Sequence, residues 1–220
     1  MHDSLRGISK RILDLATDAL KRANTDAVYF DPGMEHRKPL APLAAAHAGE
    51  LLLKALIAKE HPLLLFKNIG EKITDDEIDL DWLLKNGRTH DFSRLPSVLW
   101  ATSGIEVPHI KSFKRIAELR NQVQHFVDVR DCNIEFDCLN FIYSNIDPIL
   151  NEHFGLFACQ FHEDEYDDYV IGSLFSHQIK FTMPHDTTLT EIDPHLYLQD
   201  ASKTYKKWAY QALKLKPPSN

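Results

Sequence analysis

Arg120 is the residue of this sequence that most needs a chemical explanation. The stretch 109–128 predicts one long helix, because its apolar residues recur on a single face when each residue turns about 100°. That face carries Phe113, Ile116, Val123 and Val127, and Arg120 falls in the middle of it. A guanidinium stays charged in proteins and is costly to bury unpaired, so Arg120 should either pair with an internal carboxylate or point into a cleft that receives an anion. For an isolated arginine the structural ion pair is the favoured interpretation, with snorkelling as a variant.

The other side of this helix is polar and carries Lys114, Glu118, Asn121 and His125. Asn121 and His125 are one turn apart and therefore lie together. Arg120 and His125 are five positions apart in the sequence, which separates them by about 140° around a straight helix. One straight helix therefore does not bring the guanidinium and the imidazole side by side.

A second polar stripe lies on the upstream segment Ala44–Ala58, which is otherwise almost wholly apolar. His47, Glu50 and Lys54 stand at positions i, i+3 and i+7, so they share one narrow face of a helix. This face is either the exposed edge of a core helix, with Glu50 and Lys54 as a surface ion pair of small value, or it faces Arg120, with Glu50 as its partner. Taken alone, the stripe favours the exposed edge.

The run Arg120-Asn121-Gln-Val-Gln-His125 resembles the signature of HEPN domains, which is an arginine, a polar residue, three variable residues and a histidine. The motif lies late on a long predicted helix, and an upstream helix similar to that of the family carries Glu50 and Lys54 among alanines and leucines. The resemblance covers about 40–150, and the C-terminal third resembles no known family.

This resemblance implies a homodimer in which the motifs of two subunits meet in a cleft, and an endoribonuclease that uses neither a metal nor another cofactor. His125 would be the general acid and base, because an imidazole titrates near neutral pH. Arg120 would bind the phosphate, and Asn121 would orient the histidine or contact the phosphate. The products would be a 2′,3′-cyclic phosphate and a 5′-hydroxyl. A kink, or a cleft that mixes residues from two chains, would overcome the separation of Arg120 and His125.

Further residues are assigned supporting roles. Glu50, His47 and Lys54 would support the catalytic trio. Lys111, Lys114 and Arg115 would form a small basic rim that attracts RNA, or they are simply a solvated helix face. In one toxin subfamily of this class a tyrosine that a partner enzyme modifies follows two places after the motif histidine. Val127 stands there, so silencing by that modification is not expected.

The leading hypothesis from the resemblance is a toxin or antiviral-defence effector that cleaves RNA and is held by an inhibitor or antitoxin protein. The alternative is a non-catalytic module that binds RNA, a nucleotide or a protein partner in the same cleft. A third possibility is a structural core arginine and an exposed histidine, with an accidental match to the signature. An intact Arg120, Asn121 and His125 favours the enzyme, because a binding module has less need of an imidazole.

The elements that must position these residues are helices. We predict helices over Ser4–Asn24 with Ser4 as its cap, Pro42–His61, a short segment after a capping box at Thr74–Glu77 that Gly87 ends, Asp91–Trp100, Pro108–Asp128, Asn133–His153 with a bend at Pro148, and Leu196–Leu215. The segment Ile179–Thr182 is a candidate strand, and the acidic cluster 162–168 a solvated loop. The predicted fold is mainly α, a HEPN-like bundle of about four or five core helices with a less regular C-terminal third. Residues 1–155 would form the HEPN-like domain and 156–220 an extension packed on it.

Composition places limits on the partners. The chain has 25 Lys and Arg against 32 Asp and Glu, which gives a net charge of −7. This charge argues against a broad groove for long nucleic acid and limits RNA contact to a local basic site. Three cysteines without a CxxC pair favour a reduced compartment, and no secretion signal is evident, so we expect the cytosol. The longest apolar runs, 51–53 and 63–66, are too short for a bilayer, so no membrane partner is expected. His153, Cys159 and His162 lack the spacing of a zinc site, so none is expected.

Overall fold

Helices make up nearly all the regular structure in the computed structural model, which describes residues 3–28, 37–69, 78–125, 133–163, 168–184 and 193–214. The predicted mainly α fold is confirmed. The described helices are α1 (Ile8–Val28), α2 (Arg37–Glu60), α3 (Leu80–Asn86), α4 (Leu95–Ser103), α5 (Ile110–Gln124), α6 (Ile134–Phe141), α7 (Asp147–Phe154), α8 (Asp168–Ser176), α9 (Pro194–Leu198) and α10 (Lys203–Ala212). Two short strands, β1 (Phe66–Lys67) and β2 (Arg88–Thr89), pair antiparallel.

Helix α2 is the centre of the bundle and contacts α1, α4, α5 and α6. Its small residues allow this, because alanines and a glycine let neighbouring helices come close. A Cβ on Gly49 would lie 2.6 Å from Cζ of the buried Phe141, so only glycine fits there. By length and composition alone α2 could cross a membrane, a test that the core helix of a soluble protein also passes, and most of its apolar stretch is buried inside the bundle.

A buried polar network fixes the start of α5 against the segment between α6 and α7. The backbone N–H of His109 donates to Oδ1 of Asn145 at 2.8 Å, and Nδ2 of Asn145 donates to Oγ of Ser112 at 2.7 Å. His109 also caps α5, because its Nδ1 accepts from the N–H of Ser112 at 3.2 Å. Buried polar groups that are hydrogen-bonded in this way specify one arrangement, so the rotation of α5 is fixed at its N-terminal end.

The predicted helix over Asn133–His153 is not one regular α-helix. A π-helical segment, Ile142–Ile146, separates α6 from α7, and the N–H of Asp147 donates to the carbonyl of Ile142. Pro148, at the start of α7, lacks the N–H that would continue the regular ladder, so the irregular turn falls just before it.

Asp147 joins the C-terminal residues to the bundle. Its carboxylate is buried and accepts from the N–H of Ala158 at 3.0 Å, the N–H of Thr182 at 2.8 Å and the Thr182 hydroxyl at 2.9 Å. Burial raises the pKa of Asp147, and these hydrogen bonds oppose that rise. Residues beyond the predicted boundary at 155 therefore bind helices that precede it.

Two predicted helix starts are wrong. Ser4 lies in a 3₁₀ turn before Gly7 and does not cap α1; its hydroxyl accepts from the N–H of Leu80 at 3.1 Å. Pro42 is not at the start of a helix, because α2 begins five residues earlier at Arg37. A proline in the second turn removes one hydrogen bond, and tertiary packing of the buried Pro42 and its neighbours outweighs that loss.

The two helices between α2 and α5 do not begin at their predicted caps. The predicted box Thr74–Glu77 lies outside the described residues. Helix α3 is capped by Asp79, whose Oδ1 accepts from the N–H of Trp82 at 2.8 Å. The helix ends before Gly87, as predicted. Asp91 makes no capping hydrogen bond. It binds the ammonium of Lys67 instead, and α4 begins only after a 3₁₀ turn.

The C-terminal third is more helical than predicted. The candidate strand Ile179–Thr182 has no strand partner among the described residues and no regular secondary structure. It is held by Asp147 and by the Tyr205 hydroxyl, which donates to the carbonyl of Ile179 at 2.8 Å. The predicted terminal helix is two helices, α9 and α10, and α8 was not predicted. Glu163, in the acidic cluster, forms ion pairs with Arg22 and Arg37.

Candidate functional site

Glu50, Lys54 and Arg120 form one ionic cluster, the Glu50 cluster, where α2 packs against α5. The Lys54 ammonium lies 2.7 Å from Oε1 of Glu50, and Nη2 of Arg120 lies 3.6 Å from Oε2. The side chains of Glu50 and Lys54 are only 17 % and 14 % exposed, so the interpretation as a surface pair is wrong. The stripe on α2 faces Arg120, because α2 and α5 turn their half-buried polar positions toward each other.

The Arg120 guanidinium is held in place, but some of its hydrogen-bond donors remain unused among the described residues. It lies over the ring of the buried Phe92, with Cζ 5.7 Å from the ring centroid, and its side chain is 30 % exposed. The 3.6 Å separation from Glu50 exceeds the usual 2.7–3.2 Å of an N–H···O hydrogen bond. A guanidinium has five N–H donors in a planar fork, so this one retains donors for a further anion.

Asn121 and His125 lie on the exposed side of α5, as the helical spacing predicts. His125 stands at the C-terminal cap, where its backbone N–H donates to the carbonyls of Asn121 and Gln122 at 3.0 and 3.1 Å. Its imidazole is at the surface, whereas Arg120 is turned toward α2. Helix α5 thus presents its arginine and its histidine to different surroundings.

The remaining predicted site residues divide into two groups. Lys111, Lys114 and His47 are exposed, and within the described residues His47 makes no hydrogen bond or ion pair with the Glu50 cluster. Arg115 is in an ion pair with Asp137 of α6, with Nε 2.9 Å from the carboxylate. Arg115 therefore joins two helices, and the basic rim on α5 consists of Lys111 and Lys114.

The structure adds residues of the β2 region that sequence reasoning missed. The Lys54 ammonium lies 3.2 Å from the Thr89 hydroxyl, and Phe92 supports Arg120. His90 lies between Thr89 and Phe92 in the chain. Burial and the charge of Lys67 lower the pKa of His90, so its imidazole is neutral at pH 7. The run Arg88-Thr-His-Asp-Phe-Ser-Arg94 is rich in polar types, and this composition was the available signal.

The charges around Arg120 suit an anion. The Glu50 cluster contains two cations and one carboxylate, in a half-buried setting where electrostatic interactions are stronger than in water. A phosphate group that approaches Arg120 would complete the charge balance of the cluster. Within the described residues, no group of three or more His, Cys, Asp or Glu side chains is placed to hold a metal ion.

Comparisons with protein-family models, with curated proteins and with solved structures found no match to this chain.

Proposed function

We propose that this protein is a metal-independent endoribonuclease of HEPN type. The observation that carries the proposal is the contact between Glu50 of α2 and Arg120 of α5, which holds an arginine at the edge of the core with donors to spare. The two segments that contribute this contact are the two that carry the resemblance. Asn121 follows Arg120 on α5, and His125 stands at the C-terminal cap of the same helix; both are exposed.

In the proposed reaction His125 removes the proton from a ribose 2′-hydroxyl, and the 2′-oxygen attacks the adjacent phosphorus. The bond between phosphorus and the 5′-oxygen breaks, and the leaving oxygen takes a proton from an imidazolium. Arg120 binds the non-bridging oxygens and stabilises the charge that develops on them. The products are a 2′,3′-cyclic phosphate and a 5′-hydroxyl, with no oxidation or reduction.

The proposal includes a homodimer with composite sites. Arg120 is turned toward α2, and His125 is at the exposed C-terminal end of α5, so Arg120 of one subunit would act with His125 of the other. The setting proposed from the resemblance is a toxin or antiviral-defence effector of the cytosol, controlled by an inhibitor or antitoxin protein.

A non-catalytic binding module is the second candidate, and one observation favours it. Glu50 and Phe92 already give Arg120 an internal carboxylate and an aromatic face, which are the partners of a structural arginine. Such a module would bind RNA, a nucleotide or a protein partner and would not need His125. Loss of cleavage in His125→Ala separates the two candidates.

The reaction is tested by end-group analysis of cleaved single-stranded RNA, with and without EDTA. We expect cyclic phosphate and 5′-hydroxyl ends, activity that survives EDTA, and no cleavage of RNA with a 2′-methoxy group at the scissile position. His125→Ala should abolish cleavage, because it removes the proposed general acid and base. Products with a 5′-phosphate, or activity that requires magnesium or manganese, would contradict the mechanism.

The composite site is tested by mixing two inactive variants. If each site takes Arg120 from one chain and His125 from the other, a mixture of Arg120→Ala and His125→Ala contains heterodimers with one intact site and recovers about a quarter of wild-type activity. If each site lies within one chain, heterodimers also recover nothing, because every chain lacks one of the two residues. Light scattering should report a dimer, and an active monomer would exclude the composite site.

A further inference from the structure

A groove lies next to the Glu50 cluster, between residues 63–69 and helix α4, and we call it the α4 groove. Its volume is about 630 Å³, within the range of about 300–1,000 Å³ that is common for small-ligand sites. Leu63, Phe66 and Val98 give it apolar walls, and Asn68, His90 and Arg94 add polar groups. A groove that is apolar inside and cationic at its rim suits a ligand that is flat and apolar at one end and anionic at the other.

The β1–β2 strand pair links the groove to the Glu50 cluster. Phe66, in the wall of the groove, pairs with Thr89 across the β1–β2 ladder, and Thr89 contacts the ammonium of Lys54 in the cluster. The N–H of His90 donates to the carbonyl of Leu65 at 3.0 Å, which fixes the backbone of His90 beside this wall. One strand pair therefore separates the groove from the residues that hold Arg120.

The aromatic wall is held in position by its neighbours. The Phe66 ring is seated against Gly87, where an added Cβ would collide with it. A ring that is fixed before binding loses little conformational freedom when a ligand stacks on it. Aromatic side chains on which an unpaired base stacks are a general device of single-strand recognition.

The charge of this region is opposite to that of the whole chain. Lys67 and the stretch Arg88–Arg94 carry three cations and one carboxylate, Asp91, whereas the chain has a net charge of −7. Because burial and Lys67 keep the His90 imidazole neutral at pH 7, it offers both a hydrogen-bond donor and an acceptor. The groove thus pairs a cation for a phosphate with a neutral group for a base edge.

We propose that the α4 groove binds one unpaired nucleotide of a single-stranded nucleic acid, with the base against Phe66 and Val98 and a phosphate at Arg94. This rests on the proposed function, since the groove would hold a nucleotide next to the one that is cleaved. Base pairing would prevent insertion of the base, so the groove selects single strands over duplexes. The groove does not contact the 2′-hydroxyl. It therefore also binds strands that lack this group and that Arg120 and His125 cannot cleave.

The test uses a strand that the groove should bind but that the protein cannot cleave. A fluorescent single-stranded 2′-methoxy oligonucleotide is titrated with the wild-type protein and with two groove variants, and anisotropy gives Kd. Ala101→Phe fills the groove from α4 and should raise Kd about tenfold, the effect expected when one stacked base is lost. Arg94→Ala should weaken binding and reduce the slope of log Kd against log salt by about 0.7, which corresponds to one phosphate contact on a single strand.

Matched controls are Ala212→Phe on α10 and Arg11→Ala on α1, both at exposed positions outside the groove. They should bind the probe like the wild type, and a duplex of the same sequence should compete poorly. Wild-type Kd values for both groove variants, or no binding of the probe by the wild type, would overturn the proposal whatever the cleavage assay shows. Weakened binding by the groove variants, without cleavage of RNA by the wild type, would keep the groove and remove the ribonuclease.

A measurement without substitutions covers the case in which Ala101→Phe fails to fold. The same oligonucleotide carrying one 5-iodouracil is photocrosslinked to the wild-type chain, and the modified peptide is sequenced. We expect the crosslink at Phe66 or His90. Crosslinks confined to peptides outside the groove would contradict the proposal.

Discussion

Two ionic clusters of this protein have similar composition and different geometry. The first, which we call the Asp26 cluster, consists of Asp26 with Arg22 and Arg37, and Glu163 at its outer side. The second is the Glu50 cluster. In both, a carboxylate on a core helix is shared by one cation on its own helix and one from elsewhere in the chain.

The difference lies in how completely the carboxylate is satisfied. The Asp26 side chain is 4 % exposed, and Nε of Arg22 and Nε of Arg37 donate to its two oxygens at 2.6 and 3.1 Å. Glu50 has a close contact with Lys54, but Arg120 stands 3.6 Å away and 30 % exposed. A closed cluster stabilises the fold, whereas an open one leaves an arginine able to bind something else.

The largest expected effect is the loss of RNA cleavage in Arg120→Ala. Removing the phosphate ligand should lower kcat/KM by about a thousandfold or more, and Arg120→Lys should restore little, because an ammonium lacks the planar fork. Steady-state cleavage of a single-stranded RNA measures this. The comparison would fail if Arg37→Ala, measured below its unfolding temperature, reduced kcat/KM as strongly as Arg120→Ala.

The next effect is on stability and belongs to the closed cluster. Asp26→Ala removes the buried carboxylate that Arg22 and Arg37 share and should lower the free energy of unfolding by about 3 kcal/mol. Urea denaturation followed by circular dichroism measures the change. The control is Asp14→Ala, which removes an exposed pair with Lys10 and should cost less than about 0.5 kcal/mol.

Glu50→Gln should have a smaller effect on stability than Asp26→Ala. The partners of Glu50 are half-buried, but Arg120 is not hydrogen-bonded to Glu50. We therefore expect the free energy of unfolding to fall by about 1 kcal/mol in the same urea titration. A loss as large as that of Asp26→Ala would show that the two clusters are equally closed and would weaken the case for Arg120 as an anion ligand.

His125→Ala should change stability by no more than about 0.5 kcal/mol, because the imidazole is exposed, while it removes cleavage. The two measurements, urea midpoint and cleavage rate, must be made on the same preparation. An unfolded His125→Ala protein would identify His125 as a structural residue and contradict its catalytic assignment.

The smallest effect concerns the pH dependence of stability near the Glu50 cluster. The folded-state pKa of His90 is lowered, mainly by burial and by Lys67, so the unfolded chain takes up the proton first as the pH falls through about 6.5. The wild type should therefore lose stability relative to His90→Gln between pH 8 and pH 5. Urea midpoints of both proteins at the two pH values measure this, and a constant difference would contradict the shift.

The apolar pattern of α5 predicted its orientation well. Phe113 and Ile116 are buried and Asn121 and His125 exposed, because a helix with one apolar stripe has a single way to face the core. Helix ends were predicted less well. Ser4, Pro42 and Asp91 carry local signals for caps and starts, but each was overruled by a tertiary partner or by packing, since such local preferences are worth only about 1 kcal/mol.

The sequence by itself determined that the protein is mainly helical and that α2 and α5 each carry polar residues on a defined face, because these properties follow from residue spacing on a helix. It left open whether Glu50 met solvent or Arg120. Only the tertiary structure decided that contact, together with the places of Thr89, His90 and Phe92 beside it. The reason is that spacing fixes directions within one helix, whereas the distance between two helices depends on how the side chains of the whole core pack.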